Sequence, residues 1–78
     1  MYTLHENIRI KTCDTESFFV NISNNSLYSI KTNTLNYLLS EIHKGLNENN
    51  ISEYNTDFLD FVHKLESLNI LKRYDDEN

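Results

Sequence analysis

The chain predicts an α+β domain, a three-stranded antiparallel β-meander followed by two main helices with a short or missing helix between them. Two observations carry this. Up to Lys31 apolar residues alternate with polar ones, and from Thr32 onward they recur at helical spacing. Near the end, Phe58, Phe61, Val62, Leu65 and Leu68 follow one side of a helix and form a stripe that must be buried.

In chain order, Ile8, Ile10 and Thr12 alternate with Arg9, Lys11 and Cys13, giving a half-buried first strand. Asp14 to Glu16 form a polar break. Phe18, Val20 and Ile22 then alternate with Phe19, Asn21 and Ser23 in a second strand. Tyr28 and Ile30 alternate with Leu27, Ser29 and Lys31 in a third, so the sheet covers 7–31. A two-residue turn at Asn24-Asn25 would pair Ile22 with Leu27 and mix polar and apolar residues on each face. A three-residue loop pairs Ile22 with Tyr28 and Val20 with Ile30, leaving one apolar face. The hydrophobic pattern therefore favours the three-residue loop, with an Asn in the left-handed conformation.

Thr32, Asn33 and Thr34 are good helix-capping residues, and Leu35, Leu38, Leu39 and Ile42 continue as a helix over 33–44. Lys44 sits in its last turn, and the only glycine, Gly45, is a standard helix stop. Residues 46–55 are polar and Asn-rich, anchored by Leu46, Ile51 and Tyr54, with room for one short helical turn. Asn55 or Thr56 caps the last helix, 56–68, and Asp57 complements its N-terminal dipole. Asp60 and Lys64 have the spacing of an ion pair along that helix. Asn69 tolerates the left-handed backbone found just past a helix end, and the apolar pair Ile70-Leu71 follows it. An ordered core is expected over about 6–72 and a frayed acidic tail over 73–78.

Seventy-eight residues, 38% of them apolar, make one domain (1–78) with a thin core. No apolar run approaches the roughly 20 residues of a membrane span. Met1 to Glu6 lack the features of a secretory signal, so a cytoplasmic protein is expected, and the lone Cys13 is compatible with a reducing compartment. A net charge of −5 with seven scattered basic residues argues against nucleic-acid binding. One glycine excludes the common nucleotide-binding glycine loops. His5, His43 and His63 lack helical metal-site spacing, and Cys13 has no thiol partner. Asp57 and Asp60 are better read as a cap and an ion-pair partner than as a catalytic carboxylate pair. The expectation is a protein that is not an enzyme and carries no metal or cofactor.

Aromatic residues and a sheet edge remain. Tyr28, Tyr37, Phe58 and Phe61 are first of all core. In a three-strand meander, however, the third strand is an edge, and beside an apolar helix it can accept an extended peptide as a fourth strand.

Read position by position, Phe58, Phe61-Val62, Leu65 and Asn69-Ile70-Leu71 resemble the last helix of the PqqD-like family, also called RiPP recognition elements. That family's pattern is an apolar residue, two variable positions, an apolar pair, two variable, Leu, three variable, then Gly-Leu-Leu. The order of elements over roughly residues 6–72 is that of the family's winged helix-turn-helix-like fold. Two departures stand out: about ten residues replace a middle helix of several turns, and Ile30-Lys31 ends the third strand where the family tends to have Leu-Asn.

The resemblance implies a stand-alone protein that binds the leader segment of a ribosomally made peptide precursor between the third strand and the last helix. It would deliver that segment to a modifying enzyme such as a radical-SAM enzyme, a cyclase or a leader protease. The implied contacts are Leu27, Tyr28, Ser29, Ile30 and Lys31 on the strand, with Asp57, Phe58, Asp60, Phe61 and Lys64 on the helix. Length, a starting methionine and a charged tail favour a free-standing protein. The rivals are a small acidic adaptor or antitoxin-like protein that binds a basic partner, and a winged-helix nucleic-acid-binding protein. Asp57, Asp60 and Glu66 against Lys64 alone argue against the latter.

Overall fold

Period-two alternation over the first part of the chain becomes an antiparallel meander of β2 (Ile8–Thr12), β3 (Glu16–Asn21) and β4 (Ser26–Lys31), in the order β2-β3-β4. Helix α1 (Thr32–His43) follows without a break, then a 3-10 turn (Ile51–Glu53) and helix α2 (Thr56–Ser67). Two short strands complete this α+β fold: β1 (Tyr2–Leu4) and β5 (Leu71–Arg73) form a second, two-stranded antiparallel sheet. The computed structural model describes residues 1–74.

The β3–β4 hairpin departs from the expected pairing. Tyr28 faces Phe19 rather than Ile22, and Ile30 faces Ser17 rather than Val20, so the loop spans four residues, 22–25. Asparagine chemistry closes it. The Asn25 amide donates to the Asn21 carbonyl (2.8 Å), and the Ser23 amide and hydroxyl donate to Asn21 Oδ1 (2.9 and 2.8 Å). The Ser26 amide donates to Asn24 Oδ1 (2.9 Å). Asn25 is in the left-handed region (φ 62°), as expected for one Asn of the loop. An offset of three residues is odd, so β3 is turned over relative to the expectation. Ser17 and Phe19 are buried, Phe18 and Val20 lie on the opposite side, and Ile22 is 50% exposed.

A buried polar contact holds this register. Thr32 Oγ1 lies 2.7 Å from Ser17 Oγ and donates its single hydroxyl proton to the Cys13 carbonyl (2.9 Å), so Ser17 must donate to Thr32. The Thr32 amide adds a bond to the Thr15 carbonyl (3.0 Å). Thr32 is therefore no side-chain cap. Lys31 occupies the N-cap position of α1 with no side-chain capping bond, and the hydroxyl that could have capped is spent on the β2–β3 hairpin.

Both helices stop in the same way. At the end of α1, Gly45 (φ 101°) donates to the Ile42 carbonyl and Leu46 to the Glu41 carbonyl, each at 3.0 Å. At the end of α2, Asn69 (φ 61°) donates to Glu66 (3.0 Å) and Ile70 to Leu65 (2.9 Å). Each is a Schellman motif, with the next residue, Leu46 or Ile70, buried. Asn55 caps α2 by accepting from the Phe58 amide (2.8 Å). Between the helices, Asn47 and Asn50 bond each other's amides through their side-chain oxygens, both at 2.9 Å. Their side-chain NH2 groups both donate to the Gly45 carbonyl at 3.1 Å. The expected short turn forms just beyond this knot, at Ile51–Glu53.

The core joins Phe19 and Ile30 of the meander to Leu35 and Leu38 of α1 and to Val62 and Leu65 of α2. Leu68, expected in the same stripe, is 43% exposed because it is the C-cap, where the backbone leaves the helix. The chain ends also differ from expectation. Order begins before residue 6: Tyr2 is 1% exposed, and β1 pairs Tyr2 with Arg73 and Leu4 with Leu71. Arg73, assigned to the tail, is in β5 and its guanidinium reaches Glu66 (2.7 Å), while Lys72 is bonded to Glu6 (2.5 Å). The Tyr74 amide donates to the Met1 carbonyl (2.8 Å), and the rest of the expected tail lies outside the described residues.

Leu65→Ala, at a position with 0% exposure, is expected to cost about 2–5 kcal/mol in urea unfolding. Thr32→Val keeps the shape but leaves the Ser17 hydroxyl and Cys13 carbonyl without their partner. It is expected to cost about 1–3 kcal/mol in the same measurement, and an unchanged midpoint would show that the contact does not hold the register.

Candidate functional site

β4 is the last strand of its sheet, so one side of its backbone has no strand partner. The Thr32 amide–Thr15 carbonyl bond marks Thr15 and Thr32 as a hydrogen-bonded pair, which fixes the alternation along the hairpin. Tyr28 and Ile30 direct their amides and carbonyls to β3. Leu27 and Ser29 direct theirs to the free edge, as does Lys31 its amide. These three are exposed, Leu27 at 63%, whereas Ile30 is 6% exposed and Tyr28 half-buried.

The Tyr28 side chain marks where β4 meets α2. Its ring lies 6.4 Å from that of Phe19, and Lys64 Nζ lies 6.0 Å from its centroid. The expected Asp60–Lys64 ion pair does not form: among the described residues Lys64 has no carboxylate within 4.0 Å, and its ammonium is over the Tyr28 face instead. Asp57 and Asp60 are both exposed to solvent. Phe58, 9% exposed, belongs to an aromatic cluster with Tyr37 (5.2 Å, edge-on), Tyr54 (4.9 Å) and the half-buried Phe61 (6.3 Å). Of the ten sequence candidates, then, Tyr28 and Lys64 meet directly, Ile30 and Phe58 are core, and Leu27, Ser29 and Lys31 form the open edge.

Beside Tyr28 a cleft of about 110 Å³ opens between the start of β4 and the end of α2. Ile8, Phe19, Leu27, Tyr28, Leu68 and Ile70 line it, with Asn21 and Ser26. That is somewhat smaller than the ~150 Å³ apolar cavity known to hold a benzene ring, and suits one aliphatic side chain. Ile8, Phe19, Leu68 and Ile70 were not among the sequence candidates. Leu68 carried a usable signal, being four residues after Lys64 on the same helical side; Ile8 and Phe19 come from strands whose inward faces depend on register.

No catalytic grouping accompanies the cleft. His43, His63 and Cys13 are exposed, His5 Nδ1 accepts the Asn7 amide (3.3 Å), and no three metal-ligating side chains cluster among the described residues. No described helix is long and apolar enough to cross a membrane. No protein-family model, curated protein or solved structure matches the chain.

The aromatic cluster around Phe58 is tied to α1 by the Tyr54 hydroxyl, which donates to Glu41 Oε1 (2.5 Å). This bond, with a smaller contribution from Lys44, holds the Glu41 carboxyl below its ordinary value of 4.5. Conversely, the bond to Glu41 pushes Tyr54 up to about 12 from 10.0. Glu6 is lowered too, chiefly by its bond to Lys72. A depressed carboxyl contributes stability present above its unfolded pKa and lost as pH falls through the folded one. A raised tyrosine contributes stability present below 10.0 and lost as pH rises toward about 12. The melting temperature is expected to fall on both sides of that window, with Glu41→Gln reducing the acid loss and Tyr54→Phe reducing both.

Proposed function

We propose that the chain is a peptide-recognition protein of the PqqD-like kind, a winged helix-turn-helix-like domain in which the Ile51–Glu53 turn stands in for the family's middle helix. The single observation that carries this reading is the open edge of β4 beside an apolar cleft. The amides and carbonyls of Leu27 and Ser29, and the amide of Lys31, point outward, as an added strand requires. An extended segment paired there places alternate side chains toward α2, where the cleft accepts one apolar side chain and the Tyr28–Lys64 contact bounds the groove. Ile30 and Phe58 support the groove from the core rather than touch the ligand. Such a protein makes no bonds covalently; it raises the local concentration of a precursor at its modifying enzyme.

Ser29→Pro tests this reading. Ser29 is exposed and its amide faces away from β3, so proline is tolerated as on other edge strands, and the variant is expected to fold. In calorimetric titration with a precursor leader peptide encoded beside this chain's gene, affinity is expected to fall about tenfold or more. Leu68→Glu should weaken binding likewise, and Asp60→Ala should leave it nearly unchanged. Absence of both heat and amide shift changes with the folded wild-type protein would exclude peptide recognition and favour the acidic-adaptor reading.

A further inference from the structure

The side of the meander turned away from the helices carries apolar side chains among its polar ones. Phe18 and Val20 of β3 and Leu27 of β4 point to it, and Ile22 adjoins it in the loop. Leu27 is 63% exposed and Ile22 50%. An antiparallel sheet with one face in water ordinarily alternates polar residues onto that face. Cations flank this apolar centre: Arg9 is opposite Val20, Lys11 opposite Phe18, and Lys31 ends β4. Glu16, opposite Lys31, is the one acid that the three strands place here.

Elsewhere the basic side chains are matched. Lys44 pairs with Glu41, Lys72 with Glu6 and Arg73 with Glu66, and Lys64 lies over Tyr28. The Arg9 guanidinium donates only to the Glu6 and Ile8 carbonyls (2.8 and 3.2 Å). Among the described residues no carboxylate lies within 4.0 Å of Arg9, Lys11 or Lys31. A chain of net charge −5 thus gathers its unmatched cations around Phe18, Val20 and Leu27.

We propose that this face docks an acidic amphipathic helix of another protein. The amides and carbonyls of β3 are committed to β2 and β4, so the face has no backbone bonds to offer, and its occupant must satisfy its own. A helix does so while burying an apolar stripe on a sheet. Arg9 and Lys11 are two residues apart on one strand, about 7 Å, which fits carboxylates one helical turn apart, about 6 Å. A nucleic acid fits less well, since Phe18 is the one ring that the three strands place on the face for stacking. The inference goes beyond the peptide-recognition reading and does not rest on it: Arg9, Lys11, Phe18 and Val20 line this face and not the cleft, and Leu27 alone adjoins both.

The test is an amide chemical-shift titration of the whole chain with a helical peptide of alanine, leucine and glutamate, its leucines on one face and its glutamates along the flank. The expected result is shifts centred on Arg9, Lys11, Phe18 and Val20, the positions of this face that do not line the cleft. Lys11→Glu should weaken binding roughly tenfold, and Val20→Ser should weaken it similarly. Lys44→Glu, with the same charge change at the end of α1, should leave it unaltered. Lys11 is exposed and makes no side-chain bonds, so its variant is expected to fold. No shifts up to about millimolar peptide, shifts centred on Tyr28 and Leu68, or equal binding by a same-composition peptide without an apolar face would each overturn the proposal. Tighter binding of a single-stranded oligonucleotide than of the peptide would also overturn it.

Discussion

One buried contact, Ser17 with Thr32, decides which side of β3 faces the helices. Ser17 is a poor core residue by hydrophobicity, and its burial at 0% exposure makes sense only with its hydroxyl satisfied. Thr32 satisfies it and passes its own proton to the Cys13 carbonyl, so the start of α1, the middle strand and the end of β2 are joined at one point. Once Ser17 is inward, alternation places Phe19 inward and Phe18 and Val20 outward. The cleft floor on one side and the apolar patch on the other both follow from that choice.

Asparagine takes the place that glycine and proline hold in most small domains. With one glycine and no proline, the chain needs other residues for its tight turns and helix ends. Asn25 and Asn69 supply left-handed backbone, Asn55 a helix cap, Asn21 and Asn24 the hairpin bonds, and Asn47 with Asn50 the knot between the helices. A short polar side chain that can bond its own neighbourhood tolerates these conformations at modest cost. The asparagine content of the chain is largely the turn chemistry of the fold.

The meander presents two different surfaces, for physically different reasons. At the β4 edge the backbone is the open resource, and the adjoining cleft adds room for a side chain. On the outer face the backbone is fully used, and what remains is apolar area ringed by cations. An extended chain complements the first and a self-satisfied helix the second.

Local features were legible in the sequence. The change of apolar period at Thr32 placed both main helices to within a residue at each end, and the helix stops at Gly45 and Asn69 and the Asn55 cap follow from bonds spanning only a few residues. The open edge of the third strand, and Tyr28 beside α2, were also legible, because an edge follows from strand order alone. Tertiary structure decided the rest. Phe18, Phe19 and Val20 are all apolar, so alternation could not choose a face of β3; the Ser17–Thr32 contact and the four-residue Asn loop did. β1 and β5 are three residues each, too short for a period to show, and they exist because the chain ends pair with each other. Lys64 had Asp60 one turn away along its own helix, yet packs over Tyr28, a choice that exists only once β4 lies against α2. Contacts within a helical turn are written in neighbouring residues, whereas register and partner choice depend on residues brought together by the packed core.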